Sequence, residues 1–133
     1  MPEVGAKKQI LVVDDNAAAT VLYERVIAKI FNCVAVCYTD PQAALDWART
    51  NAPVFVVADY RMPQIDGLDF IRRFRLLPGH SAIPCLVLTA TKDPAIRQQA
   101  LELGVVDFLT KPVNPDRLVE HVKRALKAQG GFP

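Results

Sequence analysis

The sequence predicts an α/β domain, a doubly wound five-stranded parallel sheet with helices on both faces. Three observations carry the prediction. Short β-branched runs alternate five times with longer amphipathic stretches. Most of the short runs are continuous in apolar character, as strands covered on both faces are. The stretches between them open and close with helix signals. Elements alternating in this way pack as a parallel sheet between two helical layers.

The first strand is ILVV, residues 10 to 13, and it ends at two adjacent carboxylates, Asp14 and Asp15. Leu22, Val26 and Ile30 then recur at i, i+4 and i+8, as one face of a helix does. CVAVCY, residues 33 to 38, is the second strand, followed by a helix whose Ala44, Trp47 and Ala48 share a packing face. The third strand is VFVVA, residues 54 to 58, and the helix after it stops at Pro78-Gly79. CLVLT, residues 85 to 89, is the fourth strand, and Gly104 suits the left-handed position that closes the next helix. VVDFL, residues 105 to 109, is the fifth strand. Asp40-Pro41, Asp93-Pro94 and Asn114-Pro115 each start a helix. The Asx oxygen accepts from first-turn amides, and proline fits where an N–H would have no intrahelical partner.

At 133 residues and 51% hydrophobic content the chain fits one domain with a sizeable core. Sixteen Lys plus Arg against fourteen Asp plus Glu leave a net charge of +2. That is too slight for a nucleic-acid or membrane surface, so neither direct nucleic-acid binding nor membrane association is expected. Lys123, Arg124 and Lys127 are spaced as the solvated face of a helix. Cys33 and Cys37 lie roughly 13 Å apart along one strand, too far for a disulfide. With Cys85 they read as buried, reduced thiols in a cytoplasmic protein, and no zinc-ligand spacing occurs. MPEVGAKKQ lacks the apolar core of a signal peptide, and no run approaches membrane-spanning length. Residues 1–8 read as an N-terminal extension, 9–128 as the domain, and 129–133 as a tail or the start of a linker.

In parallel sheets of this kind, ligands bind beyond the carboxyl ends of the strands, where the strand order reverses. Those ends carry Asp14 and Asp15, then Asp59, Thr89 and Lys111. The acidic pair alone could be a turn and helix cap. Three converging carboxylates, however, destabilise one another unless a cation lies between them. Oxygen ligands without His or Cys point to Mg²⁺, which keeps waters and is commonly completed by a phosphate oxygen. Lys111 and Thr89 then offer a point charge and a hydroxyl to a phosphoryl group. His80 and His121 have no partner at ligand spacing and read as structural or solvated.

With these residues in order, and with MPQIDG and KPVNPDRL around two of them, the sequence from about Gln9 to Lys127 resembles the receiver domain of two-component response regulators. The resemblance implies a flavodoxin-like strand order, 2-1-3-4-5. It implies that Asp59 is the phosphoacceptor, supplied by a histidine kinase or histidine phosphotransfer protein, and that the domain is no turnover enzyme but assists its own phosphorylation and dephosphorylation. Mg²⁺ would be held by Asp15 directly, Asp14 mainly through water, Asp59, and the backbone carbonyl of Arg61. Thr89 and Lys111 would bind the phosphate, and Thr89 and Phe108 would form the switch, the ring turning inward as the hydroxyl moves toward the phosphoryl group. The Lys111-Pro112 bond is often cis in such domains. Arg61 and Thr91 would border the path of a hydrolytic water. The fourth helix, fifth strand and fifth helix would form the output surface, with Ile96, Gln99, Val106 and Arg117 as candidate contacts, and would serve a homodimer if one forms. The sequence implies no output domain, so the chain is either a single-domain regulator or part of a longer protein. Two other functions stay open: a Mg²⁺-dependent aspartyl phosphatase, disfavoured because the acidic pair is adjacent rather than Asp-x-Asp, and a phosphorylation-independent docking module.

Overall fold

The computed structural model describes residues 7–129. Its elements run β1 (Lys8–Val13), α1 (Ala17–Ala28), β2 (Cys33–Tyr38), α2 (Pro41–Ala48), β3 (Phe55–Asp59), α3 (Gly67–Arg75), β4 (Cys85–Thr89), α4 (Pro94–Glu102), β5 (Asp107–Thr110) and α5 (Pro115–Ala128). The strands form one sheet in the order β2-β1-β3-β4-β5, and each pair is parallel. The three Asx-Pro signals act as expected. The side chains of Asp40, Asp93 and Asn114 accept from Gln42, Ala95 and Asp116 amides at 3.0, 2.9 and 2.9 Å. Asn16 and Asp66 cap α1 and α3 in the same way.

Alternation along the strands sorts the core into two layers. Leu11, Val13, Val56, Ala58, Val87 and Phe108 pack with α2, α3 and α4. Ile10, Val12, Phe55, Val57, Leu88 and Leu109 pack with α1 and α5. Phe55, Phe70 and Phe74 are among the largest fully buried side chains, each contributing roughly 1.5–3 kcal/mol through burial.

Several boundaries differ from the sequence expectation. β1 begins at Lys8, whose amide donates to Asn32 carbonyl at 2.7 Å, so the extension is shorter than residues 1–8. Residues 1–6 lie outside the described residues, as do 130–133 of the tail, whereas Gln129 caps α5. β3 ends on Asp59 itself. β5 starts at Asp107 because the ladder with β4 begins there, opposite Leu86, leaving Val106 44% exposed in the turn after Gly104. α3 stops at Arg75, ahead of Pro78, because the residue before a proline is pushed out of helical geometry. Gly79 and Gly104 both take positive φ, 83° and 76°. On α1 the inward stripe is Thr20, Tyr23, Val26 and Ile27, so Leu22, one residue from Tyr23 and about 100° round the helix, is 53% exposed. Trp47 packs against Tyr38, and Lys123, Arg124 and Lys127 are exposed. All three cysteines are free; Cys33 and Cys85 are buried, and Cys37 is only half-buried.

Both histidines have partners that their sequence spacing does not show. His80 is buried, its Nε2 2.7 Å from the Ala48 carbonyl and its ring against Phe74. His121 Nε2 lies 2.9 Å from Asp107 Oδ2, which also accepts from Arg117 at 3.0 Å, while Asp107 Oδ1 takes the Phe108 amide at 2.7 Å. This clasp ties the edge strand to α5. Burial pushes the Asp107 carboxyl up, but the Phe108 amide, His121 and Arg117 outweigh it and hold it below the usual carboxylate range.

Two variants test this framework. A Cβ on Gly67 would meet the Asp59 carbonyl oxygen at 2.5 Å and Tyr60 Cα at 3.0 Å, both backbone atoms. Gly67→Ala is therefore expected to lower stability by about 1–3 kcal/mol in urea unfolding. A depressed carboxyl stabilises the fold above its unfolded pKa and loses that contribution as pH falls through its folded one. Asp107→Asn should thus cost about 1 kcal/mol at pH 7, and the gap to the native chain should close as the pH drops below about 4.

Candidate functional site

The carboxyl ends of β1 and β3 adjoin in the sheet, with β4 and β5 beyond them. Side-chain alternation then decides which groups meet. Asp14 continues the Ile10, Val12 series, Asp59 continues Phe55, Val57, and Lys111 continues Leu109, so all three belong to the α1/α5 side. Thr89 continues Cys85, Val87 on the other side, the side that holds Phe108.

The first group is in contact. Carboxylate oxygens of Asp14, Asp15 and Asp59 lie within 4.8 Å of one another. Asp14 and Asp59 are buried and Asp15 is exposed. Lys111 Nζ lies 3.0 Å from Asp59 Oδ1 and 3.4 Å from Asp14 Oδ2. Asp14 Oδ1 accepts the Asn16 amide at 2.9 Å. Since Asn16 caps α1, the acidic pair is not the helix cap.

The electrostatics show an unbalanced site. Burial pushes the Asp59 carboxyl above the usual range; the Lys111 hydrogen bond pulls it down, and the charges of Asp14 and Asp15 push it up again. Burial would depress the Lys111 ammonium, but its hydrogen bond to Asp59 and the charges of Asp14 and Asp59 prevail and hold it above the ordinary lysine value. One ammonium among three carboxylates leaves two negative charges uncompensated. An all-oxygen donor set with that excess fits a hard divalent cation.

Thr89 is buried at the end of β4, and its Oγ1 accepts the Thr91 amide at 3.0 Å. With the oxygen occupied as acceptor, the O–H is left to donate. Phe108 is 4% exposed and packs in the core layer on the α4 side of the sheet. Arg61 is exposed, two residues beyond Asp59. The Lys111-Pro112 bond is cis. Gly67, whose amide donates to the Tyr60 carbonyl at 2.7 Å, was not singled out from sequence, although a glycine directly after the Asp66 cap was its visible signal. The clasp of Asp107, Arg117 and His121 was also missed. It joins residues 10 and 14 positions apart on different elements, and no local pattern reports such a contact.

A charge-dense pocket at the carboxyl ends of a doubly wound parallel sheet defines a class of α/β domain suited to cations and phosphoryl oxygens. The description "response regulator receiver domain" matches residues 10–123, and the chain belongs to that family. It is 44% identical over 110 residues, 82% of this chain, to the cyclic di-GMP phosphodiesterase response regulator RpfG of Xanthomonas campestris, but spans only 29% of that protein. It is 34% identical to a 14.6 kDa protein of Leptolyngbya boryana, covering 90% of each chain. Among solved structures, chemotaxis protein CheY4 of Vibrio cholerae superposes with a TM-score of 0.82 at 25% identity, covering 91% of this chain and 100% of that one.

The raised Asp59 pKa means that its ionised form opposes folding above that pKa, a penalty that fades as pH falls toward the unfolded value. Without metal at neutral pH, Asp59→Asn is expected to raise the melting temperature by about 2–5 °C. Added Mg²⁺ should stabilise the native chain more than the variant, and chelation should restore the original gap in calorimetry.

Proposed function

We propose that this domain is a phosphorylation-dependent signalling switch, with Asp59 accepting a phosphoryl group from the phosphohistidine of a histidine kinase or histidine phosphotransfer protein. The observation that carries this reading is the contact of Lys111 with Asp59 and Asp14 within a cluster of three carboxylates. A carboxylate oxygen of Asp59 attacks phosphorus in line, the P–N bond to the donor imidazole breaks, and that imidazole leaves as the acyl phosphate forms. Such a transfer depends on positioning and charge neutralisation. Asp14, Asp15, Asp59 and the Arg61 carbonyl would hold Mg²⁺, which when bound supplies positive charge to the transferring oxygens. Lys111 neutralises a phosphoryl oxygen, and the free Thr89 O–H donates to another.

Readout follows from the position of Thr89. It shares a face of the sheet with Phe108, whose buried ring packs in the layer that includes Ala100 of α4. A hydroxyl held by the phosphoryl group keeps that ring inward and biases α4, β5 and α5 toward one arrangement, a shift between two populations. The exposed Gln99, Val106 and Arg117, with half-buried Ile96, form the candidate contact face for a downstream partner or a second copy. Three free thiols, and no helix among the described residues long and apolar enough to cross a membrane, support a cytoplasmic role.

The test is intact-mass measurement after incubation with acetyl phosphate. A gain of one phosphoryl group is expected with Mg²⁺, with none in its absence or in Asp59→Ala. Lys111→Ala should slow the gain about 10²-fold. A folded native chain that gains nothing would favour a docking module that works without phosphate.

A further inference from the structure

α4 is held by its ends. Of its residues Ala100 alone is buried, whereas α3 buries Leu68, Phe70, Ile71 and Phe74. With so little apolar surface removed from water, polar contacts at the two termini decide where α4 sits.

The C-terminal end is met by a cation from another helix. Arg75, the last residue of α3, donates through Nη1 to the Leu103 carbonyl. Its Nη2 lies 3.4 Å from the Gly104 carbonyl and 3.5 Å from that of Ile83, which leads into β4. Leu103 is the C-cap of α4, and Gly104 follows it. Arg75 pairs with no carboxylate among the described residues, and its Nε is buried without a partner. A guanidinium turned inward onto carbonyls alone answers the negative end of the helix dipole and the unpaired carbonyls of the last turn. Its planar fork reaches two elements at once. The N-terminal end is tied to Thr89 by bonds in series. Thr89 Oγ1 accepts the Thr91 amide at 3.0 Å, Thr91 Oγ1 accepts the Asp93 amide at 3.2 Å, and Asp93 Oδ1 accepts the Ala95 amide at 2.9 Å. The first two are neutral, and a charge-assisted bond is roughly twice as strong.

We infer that Arg75 is the pivot of α4, a fixed point at its C-terminal end about which the N-terminal end swings. The swing rests on the reading of Asp59 as phosphoacceptor. A displacement of the Thr89 hydroxyl toward the phosphoryl group weakens its bond to the Thr91 amide and loosens the series that ends in the cap of α4. Arg75, on α3, is outside that series and keeps the other end against β4.

Amide hydrogen exchange, read residue by residue by NMR on the full chain with Mg²⁺ present, tests both ends. Arg75→Met keeps an apolar stem and removes the donors. Without phosphodonor it is expected to speed exchange at Leu103, Gly104 and Val105 about tenfold, with α1 and α5 unchanged. In the native chain, excess acetyl phosphate should alter exchange at Thr91, Asp93 and Ala95 and leave Leu103, Gly104 and Val105 as they were. In Arg75→Met the change should extend to those three. Unchanged exchange at Leu103, Gly104 and Val105 in the variant overturns the pivot, as does an acceleration spread evenly over the sheet and all helices. Should the variant fail to fold, the native chain decides alone. There, a phosphorylation-dependent change as large at Leu103, Gly104 and Val105 as at Thr91, Asp93 and Ala95, or none at either end, overturns the pivot. A native chain that takes up no phosphoryl group sinks the reading of Asp59 and the swing with it, while local acceleration in Arg75→Met still keeps Arg75 as the clamp on the end of α4.

Discussion

The excess of negative charge at the end of β1 and β3 is the constraint from which the rest of this structure follows. Asp14 and Asp59 are buried, and two carboxylates about 4 Å apart repel by roughly 4 kcal/mol even at an effective dielectric near 20. Burial first, and then the charges of Asp14 and Asp15 that a single ammonium does not balance, hold the Asp59 carboxyl above its ordinary range although it is paired. A fold tolerates such a cluster only if it gains from the cluster when a cation or phosphoryl group is present. The apolar layers therefore carry a double task, supplying enough burial to hold a site that opposes folding when empty and presenting that site rigidly. Ten elements with continuous apolar strands meet the first need. The strand-order reversal, which leaves an open crevice between β1 and β3, meets the second.

Strand alternation then sorts the polar strand-end residues onto two faces. The charged groups project toward α1 and α5, and Thr89 and Phe108 project toward α4, so one sheet presents the acidic cluster on one face and these two side chains on the other. The two halves meet only across the end of β4, where Thr89 lies one ladder step from β5. Gly67 closes the arrangement from beneath. Its missing side chain lets α3 begin directly against the carbonyl of Asp59, so the Asp59 backbone is braced by a helix rather than by a free loop.

Much of this was legible in the sequence because the signals are local. Apolar runs, Asx-Pro starts and glycine stops are readable within a few residues; all five strands occur in the expected order, β2 and β4 with the expected bounds, and the three proline-led helices start where their signals put them. The polar residues at the strand ends were equally visible, and their convergence follows once the sheet is parallel. What was not legible depends on packing. Leu22 belongs to an apolar spacing yet faces solvent, because the helix turns its Tyr23 stripe toward the sheet. Strand 5 begins two residues late because β4, not local propensity, sets where pairing starts. His121 reads as solvated until β5 places Asp107 beside it.

The Asp107 clasp adds a mechanical consequence to the chemistry. Asp107 precedes Phe108, holds its amide, and is held in turn by Arg117 and His121 of α5. The backbone of Phe108 is thus fastened to the last helix, while its ring is packed toward α4. A displacement of the Phe108 backbone must either pull on α5 through Asp107 or break charge-assisted bonds, each roughly twice as strong as a neutral one. The short edge strand thus joins both flanking helices, α5 through the hydrogen bonds of Asp107 and α4 through the packing of Phe108.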